Sequence, residues 1–291
     1  MKICLQCSEP LPPDTWNCVA CGWNAAQING LTTCAPEFSG SGDGFDAEAF
    51  ALLAKTEEKS FWFVNRNRLI IWALQAYFPD TRSFFEVGCG TGFVLSGIAQ
   101  AYPALHLTGS ELFPEGLQFA AQRLPQAELL QMDARKIPFV DEFDVVGAFD
   151  VLEHIEEDEL VLQQIFRAIK PGGGLMLTVP QHQFLWSQVD EESHHVRRYS
   201  AQDLRTKVER EGFSIIRSTS FVSFLLPALL FSRFKSRASE NQKNSSCELE
   251  LPSRLNTALD WVMRSEAVGL RLGLNYPCGG SLLLLGRKPT E

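Results

Sequence analysis

The sequence predicts an α/β fold built on a doubly wound, mainly parallel sheet. A strand-like run at 84–87 leads into a turn with glycines at alternate positions, and helical spacing resumes at 93–99. Two further strand-like segments, 105–110 and 143–149, are each followed directly by a carboxylate. Strands that alternate with helical segments are typical of βαβ units, which place helices on both faces of a sheet.

The turn after the first of these strands contains Gly88, Gly90 and Gly92. Glycine is needed there because the turn requires unusual dihedrals and because a ligand must approach the bare backbone. The G-x-G-x-G spacing differs from the G-x-G-x-x-G of dinucleotide sites, and Glu86 stands where a pyrophosphate would be repelled. A carboxylate at that position favours a ligand that carries an ammonium group and a sulfonium.

This turn resembles motif I of the class I S-adenosylmethionine-dependent methyltransferases, and three later segments are similar to that family at compatible spacings. They are the strand that ends at Glu111 with its turn 112–117, the loop around Asp133, and the strand and loop at 143–155. The resemblance implies a Rossmann-like, seven-stranded sheet whose final two strands pair antiparallel at one edge. It also implies an enzyme that uses S-adenosyl-L-methionine as its methyl donor.

The resemblance also implies which residues contact the cofactor. Glu111, about twenty residues beyond the glycines, can accept both ribose hydroxyls, and Asp133 accepts from the adenine amino group. A glycine turn alone would also fit a domain that binds another nucleotide or has lost its ligand, but Glu86, Glu111 and Asp133 together favour S-adenosylmethionine. The full set of predicted cofactor residues is Glu86, Gly88, Gly90, Gly92, Glu111, Leu112, Asp133, Ala134 and Asp150.

A second pattern is Cys4-x-x-Cys7, ten intervening residues, and Cys18-x-x-Cys21. Two such pairs form tight knuckles whose thiolates can complete a tetrahedron around one zinc ion. Roughly thirty residues cannot bury enough core to fold alone, so the metal would supply folding free energy. We predict a structural zinc ribbon over residues 1–35, because a closed four-cysteine site leaves no position for a substrate.

Composition predicts a domain boundary after the ribbon. Ser39–Gly44 alternates serine and glycine over most of its length, which is typical of a flexible linker. We therefore assign 36–45 to a linker and 46–291 to the methyltransferase domain. Because a linker would separate the two units, we expect cofactor binding to survive removal of the ribbon. We interpret the ribbon as a module for docking a protein partner or for self-association.

Charge argues against a nucleic-acid partner. The chain has a formal net charge of −9, and Lys2 is the single basic residue of 1–45. Contacts with phosphates need several lysines or arginines. The N-terminal residues lack the apolar core of a signal peptide, and eight cysteines without such a signal are more typical of metal ligands or free thiols than of disulfides. We expect a cytoplasmic protein.

An insertion at about 221–278 precedes the last strand. Its apolar part, 221–231, is too short to span a bilayer, and three basic residues follow between 233 and 237. An apolar stretch with a basic end can lie at a membrane interface. Segment 221–237 could therefore contact a membrane peripherally, cover the substrate pocket as a lid, or pack as a core helix, since periodicity does not separate these possibilities.

Two other segments show helical patterns. Residues 46 to about 78 read as two helices, of which 61–68 is both aromatic and basic. That segment is similar to one that lies over the cofactor in a group of bacterial methyltransferases, but it would equally fit an amphipathic helix packed in the core. Residues 255–272 have helical periodicity with Trp261 among the apolar positions.

The loops after the fourth and fifth strands of the predicted fold face the methyl group, so their residues are the catalytic candidates. His154 stands in the first loop, where it could transfer a proton at neutral pH or only order the loop. The second loop resembles a segment of bacterial methyltransferases, several of which are associated with glycan or lipid-linked substrates.

The second loop, which follows Pro180, contains Asp190, His195, Arg197 and Tyr199. Asp190 could orient His195 as a general base, and Arg197 is available for an anionic acceptor. Together with His154, the predicted catalytic residues are therefore Asp190, His195 and Tyr199.

These observations predict an S-adenosylmethionine-dependent methyltransferase that acts on a small-molecule, glycan or lipid-linked acceptor, with one structural zinc ion. One alternative is an RNA methyltransferase whose zinc module recognises the nucleic acid, which the charge disfavours. Another is a non-catalytic scaffold that binds partners through the ribbon, and the carboxylates Glu86, Glu111 and Asp133 count against it.

Overall fold

The computed structural model describes residues 1–38, 47–238 and 251–290. Its strands are β1 (Ala26–Ile28), β2 (Leu31–Thr33), β3 (Ser83–Val87), β4 (His106–Glu111), β5 (Glu128–Gln131), β6 (Phe143–Phe149), β7 (Ile169–Pro180), β8 (Ser214–Phe221) and β9 (Ser281–Arg287). The α-helices of the described ranges are α1 (Ala47–Thr56), α2 (Phe61–Tyr77), α3 (Phe93–Ala101), α4 (Pro114–Arg123), α5 (Asp158–Ala168), α6 (Gln188–Glu192), α7 (Ala201–Arg210), α8 (Leu226–Ala238) and α9 (Ser253–Arg271).

The strands form one mixed sheet with the order β1-β2-β5-β4-β3-β6-β7-β9-β8. Neighbouring strands from β5 to β7 are parallel, whereas β9 runs antiparallel to both β7 and β8. The final two strands therefore pair antiparallel at one edge, as predicted. The predicted count of seven strands is wrong, because β1 and β2 from the N-terminal segment extend the other edge to give nine.

Helices cover both faces of the central strands. Phe85 and Val146 belong to a buried cluster with apolar residues of α5 and α7, and Phe84 and Val145 belong to a second cluster with residues of α2 and α3. Successive side chains of a strand point to opposite faces, so each strand contributes to both clusters. Burial on both faces explains why the sequences of β3 and β6 are almost continuously apolar.

The N-terminal segment joins the sheet instead of forming a separate unit. β1 and β2 make an antiparallel hairpin, and β2 pairs in parallel with β5 through Thr32 opposite Leu130 and Thr33 opposite Gln131. The sequence indicated a linker between two units, but the hairpin precedes that linker and reaches the sheet edge directly. The predicted linker at Ser39–Gly44 lies outside the described residues.

Contacts outside the hairpin hold the same segment against the domain. The Ile3 backbone N–H donates to the Pro138 carbonyl at 2.9 Å, and the Lys2 ammonium bonds the Glu128 carboxylate at 2.8 Å. The Trp16 ring meets the buried Phe139 ring edge-on at a centroid distance of 5.8 Å. Residues 1–38 are thus packed on the domain by apolar, ionic and backbone contacts together.

Helix α9 confirms the helix predicted at 255–272 and packs along α2. The Asn256 side-chain oxygen accepts from the Phe61 backbone N–H at 2.9 Å, and Asn65 donates to Asp260 at 2.8 Å. Trp261, predicted among the apolar positions, is 68% exposed. Within 1–38, 47–238 and 251–290 no helix is long and apolar enough to cross a membrane.

We expect Trp16→Ala to lower the free energy of unfolding of the whole chain by about 1–3 kcal/mol, because it removes a partly buried indole from its contact with Phe139. Urea denaturation followed by circular dichroism measures the change. Val19→Ala is the control, since Val19 is 89% exposed in the same segment and should change stability by less than about 0.5 kcal/mol. Equal stabilities for the two variants would contradict the docking of the N-terminal segment.

Candidate active site

A cavity of about 1520 Å³ opens at the carboxyl ends of the parallel strands. It exceeds the roughly 300–1,000 Å³ typical of small-ligand pockets, so a cofactor and a second molecule can fit together. Loops after β3 to β7 form most of the wall, and residues of α1, α2 and α8 complete it. The predicted cofactor residues that line it are Glu86, Gly88, Gly90, Glu111, Leu112, Asp133, Ala134 and Asp150.

The glycine turn forms one side of the cavity. Gly88 has a φ of +67°, and a Cβ on it would lie 2.5 Å from the Val151 side chain. Gly90 has a φ of +53°, and a Cβ on it would have no heavy atom within 4 Å, so a side chain there would enter open space. Gly92 lies outside the lining residues and begins α3, with room limited by Ala120, so its role here is in the turn itself.

Glu111 at the end of β4 is held by backbone amides. Its carboxylate accepts from the N–H groups of Gly90 at 3.0 Å, Leu112 at 2.8 Å and Phe113 at 3.2 Å. Burial raises the pKa of Glu111, and these three amides act in the opposite direction. The bonds tie the glycine turn to the β4 loop and fix the carboxylate at the cavity wall.

Glu86 at the end of β3 is a buried acid at the cavity wall. It is 2% exposed, and its Oε2 has no hydrogen-bond partner among the described residues. Burial raises the pKa of the carboxyl to about 8, although the Arg66 guanidinium acts in the opposite direction. A cationic or donor group of a ligand would therefore find an unsatisfied acceptor at this position.

Asp133, the predicted acceptor for the adenine amino group, is already paired with Arg135. The guanidinium contacts both carboxylate oxygens at 3.0 and 3.1 Å, and the Arg135 backbone N–H donates to Oδ1 at 2.9 Å. A carboxylate has about four lone-pair sites, so a further donor can still bind. Arg135 also reaches Glu157 at 3.2 Å, which places this ion pair at the rim of the cavity.

Arg66 of α2 is a lining residue whose individual role the sequence did not reveal. It forms an ion pair with Asp150, and its guanidinium lies 4.6 Å from the centre of the Trp62 ring. Thr178 also donates to Asp150 at 3.1 Å. The aromatic and basic character of 61–68 was the available signal. Phe61, Trp62 and Arg66 line the cavity, and Phe61 and Trp62 also pack against the buried cluster next to α2, so the segment has features of both predicted arrangements.

His195 lines the cavity, and Asp190, which is fully buried and is not among the lining residues, lies behind it. His195 Nδ1 is 2.9 Å from Asp190 Oδ1, and Asp190 also accepts from the Arg198 guanidinium at 2.7 Å and from the Ser187 backbone N–H at 2.8 Å. Burial alone would raise the pKa of Asp190, but the bonds from His195 and Arg198 outweigh it and hold that pKa well below its usual range. The carboxylate is therefore ionised and fixed.

His154 and Glu153 stand beside this pair. The rings of His154 and His195 meet edge-on with centroids 4.7 Å apart. Burial lowers the pKa of His154 to about 4, with a further contribution from His195, so its neutral imidazole is a weak base. Glu153 is fully buried, and burial together with the Asp150 charge raises its pKa. No pattern in the sequence singled out Glu153.

Tyr199 and Arg197 of the second loop point away from the cavity, which corrects the sequence interpretation. Tyr199 is fully buried, and its hydroxyl donates to Asp158 at 2.7 Å within the apolar core. Arg197 is paired with the same Asp158 at 2.7 Å. Arg198, the next residue, lines the cavity instead, because consecutive residues of this extended segment point in opposite directions.

The start of the insertion covers part of the cavity. Val222, Leu225 and Leu229 line it, and Val222 has a φ of +61°, at the point where the chain turns from β8 toward α8. Phe231 on the same helix is 73% exposed. Of the three possibilities for 221–237, this placement supports the lid.

Comparison with known proteins shows which segment of the chain matches a known protein family. Residues 85–177 match a family model described as a methyltransferase domain. A Mycolicibacterium smegmatis protein named as an S-adenosylmethionine-dependent methyltransferase is 25% identical over 161 residues, which cover 54% of this chain and 61% of that protein. Trans-aconitate 2-methyltransferase of Azoarcus sp. is 28% identical over 119 residues, covering 41% and 45%. The chain thus spans about half the length of these curated relatives.

Solved structures agree on the fold. A chain from the complex between the Haloferax volcanii Trm112 methyltransferase activator and a methyltransferase superposes with a TM-score of 0.55 at 20% identity, covering 84% of this chain and 96% of that one. Haemonchus contortus phosphoethanolamine N-methyltransferase 2, bound to phosphomonomethylethanolamine and S-adenosylhomocysteine, gives 0.54 at 16% identity, covering 84% and 58%. The family match, the motif spacing and the sheet order agree, and residues 85–177 therefore belong to a methyltransferase domain with the fold of class I S-adenosylmethionine-dependent methyltransferases.

Proposed function

We propose that this chain transfers the methyl group of S-adenosylmethionine to a small-molecule, glycan or lipid-linked acceptor. The observation that carries the proposal is the row of carboxylates Glu86, Glu111 and Asp133, which line one cavity at or just beyond the ends of β3, β4 and β5. The ammonium, ribose hydroxyl and adenine amino groups of the cofactor are all hydrogen-bond donors, and carboxylate oxygens accept from donors of each kind. A cationic group of the ligand beside Glu86 would also favour the ionised form of that buried acid.

The acceptor would occupy the part of the cavity lined by His195, Val189 and Leu225. In the reaction the sulfur–methyl bond breaks as the acceptor atom bonds to the methyl carbon, sulfur keeps the electron pair, and the acceptor loses a proton. We assign that proton to His195, because an Nδ1–H donated to Asp190 leaves Nε2 as the proton acceptor. The chain supplies alignment and a site shielded from water.

The alternative of an RNA substrate read by the N-terminal module has little support. Lys2, the single basic residue of that module, is bonded to Glu128 at 2.8 Å and lies 4.6 Å from the centre of the Trp16 ring. It is therefore not available for a phosphate, and phosphate contacts dominate affinity for nucleic acids.

We also propose that the four cysteines hold one structural zinc ion. Cys4 Sγ lies 3.6 Å from Cys21 Sγ, and Cys7 Sγ lies 3.5 Å from Cys18 Sγ. Tetrahedral zinc with Zn–S bonds of about 2.3 Å sets its sulfurs about 3.8 Å apart, so the four thiolates fit this metal with small shifts. The closed set supplies folding free energy and has no position for a reactant.

The sequence predicts that cofactor binding survives removal of the ribbon; we propose instead that the zinc module supports the cofactor site through Gln131. The fully buried Gln131 side chain donates to the carbonyls of Ala35 and Leu112, each at 2.8 Å, and accepts from the Ala35 backbone N–H at 3.0 Å. It thereby joins the chain just after β2 to the loop that follows Glu111. The Haloferax neighbour is a methyltransferase in complex with a separate activator chain; here we propose that a module of the same chain supports the domain.

We expect Glu111→Ala to weaken S-adenosylmethionine binding by about 1.5–3 kcal/mol, the range for a charged hydrogen-bond partner. Isothermal titration measures the affinity, with Gln118→Ala on the exposed side of α4 as a control that should match wild type. A wild-type chain that binds NAD more tightly than S-adenosylmethionine, or that binds neither, would contradict the proposed function.

We expect His195→Ala to lower turnover by roughly 10²–10⁴, the usual contribution of a general base, while the affinity for S-adenosylmethionine stays near wild type. The measurement first requires the acceptor, which methyl-donor labelling of a cell extract would identify. His154→Ala should have the smaller effect on turnover, because its low pKa makes it a weak base. Full turnover in His195→Ala together with loss in His154→Ala would reverse the two roles.

We expect one zinc ion per chain by elemental analysis, and its loss in Cys7→Ser. Because the module supports the loop after Glu111, this variant should also bind S-adenosylmethionine more weakly, by the roughly 0.5–1.5 kcal/mol of one hydrogen bond. Cys278→Ser, an exposed cysteine outside the module, is the matched control. Zinc-free wild-type protein purified without chelator would disprove the metal assignment, and unchanged cofactor affinity in Cys7→Ser would disprove the support.

A further inference from the structure

We propose that Glu153, His154 and His195 form a second metal site, which binds a divalent transition metal at the acceptor end of the cavity. One donor atom of each residue lies within 4.8 Å of the other two, and all three residues line the cavity. One carboxylate and two imidazoles are a donor set that holds zinc or iron(II) in protein sites with open coordination positions. The inference goes beyond the proposed function and is tested without methyl transfer.

The burial of Glu153 without hydrogen-bond partners is the first observation that points to a cation. Its side chain is fully buried, and neither carboxylate oxygen has a hydrogen-bond partner among the described residues. A buried carboxylate without a partner is strongly unfavourable in its ionised form. The two guanidiniums in its surroundings are bonded to other acids, Arg66 to Asp150 and Arg198 to Asp190. A metal ion in the cavity would be the missing partner.

The charges around Glu153 also favour a cation. Its neighbours are two ion pairs, Arg66 with Asp150 and Arg198 with Asp190, and each pair is neutral as a whole. An ionised Glu153 would therefore have no compensating positive charge in this group. A divalent ion bound by Glu153 and two neutral imidazoles would supply that charge and favour the ionised carboxylate.

His195 has the environment of a metal-bound histidine. Its Nδ1 is 2.9 Å from Asp190 Oδ1, and a carboxylate on one ring nitrogen fixes the tautomer that offers the other nitrogen to a metal. Asp190 is itself held by Ser187 and by Arg198, so this support is rigid. The arrangement corresponds to the carboxylate–histidine–metal relay found around zinc.

The geometry requires a local adjustment of the side chains. Zinc with nitrogen and oxygen ligands at about 2.0–2.2 Å places them about 3.4 Å apart, so donors that lie up to 4.8 Å apart must approach by up to about 1.4 Å. The His154 and His195 rings already contact each other at 4.7 Å between centroids. Three protein ligands would leave a coordination position open toward the cavity, where an oxygen of the acceptor could bind.

The assignment of the acceptor proton to His195 applies to the metal-free chain, and a bound metal would replace that role. As a ligand, His195 could not take the acceptor proton, and an acceptor hydroxyl or carboxylic acid on the metal would instead lose its proton because coordination lowers its pKa. The acceptor would then be an oxygen nucleophile. Turnover would not depend on the metal ion if His195 takes the proton directly. It would depend on the ion if the metal activates the acceptor.

Cobalt(II) titration of the full chain with zinc in the cysteine site tests the proposal. We expect one further equivalent of cobalt, with visible d–d bands and without the thiolate-to-cobalt charge transfer that marks a cysteine site. Glu153→Gln and His195→Ala should each weaken this binding at least tenfold. His106→Ala, an exposed histidine at the start of β4, is the matched control and should bind like wild type.

Wild-type protein that binds no cobalt beyond the cysteine site would overturn the proposal, as would equal affinities in Glu153→Gln, His195→Ala and His106→Ala. Unfolding midpoints check that each variant is folded, and if one of the two site variants fails to fold, the other decides. A chain that binds the second metal but no S-adenosylmethionine would contradict the proposed function and leave the metal site standing.

Discussion

Parallel pairing of β3 with β4 on one side and β6 on the other is the constraint on which the rest of the structure depends. In this register Glu86 stands opposite Gly109 and Gly147. Parallel strands end at the same edge, so Glu86, Glu111 and Asp150 must lie around one opening. A shift by one residue would turn the buried side chains of β3 to the wrong faces, and the apolar clusters on both sides therefore fix the position of the acids.

Several buried acids lie at or next to this opening, and most of them are compensated within the chain. Glu57 is paired with Arg123, Asp150 with Arg66 and Asp190 with Arg198. Each arginine comes from an element different from that of its acid, so these pairs also fix how the elements pack. Glu86 and Glu153 have carboxylate oxygens without such partners among the described residues, and both residues line the cavity in which we place ligands.

The sequence was sufficient for the parallel core and for the residues at its strand ends, because a glycine turn and a carboxylate after a strand are local signals. It was not sufficient for the second loop. Side chains alternate along an extended segment, so its orientation decides whether Arg197 or Arg198 faces the cavity. Tyr199 points away from the cavity because its hydroxyl bonds Asp158, which lies 41 residues earlier. The docking of β2 likewise depends on a pairing of Thr32 with Leu130, which composition cannot indicate.

The hairpin at the N-terminus has a further consequence for the sheet edge. Without it, β5 would present unpaired backbone groups along its free side, and such an edge invites pairing with another chain and aggregation. β2 occupies that side, and the outermost strand becomes β1, which has only 3 residues. A short outer strand offers few groups to a second copy. The zinc ion that we propose for the four cysteines would therefore also protect the domain from edge-to-edge association.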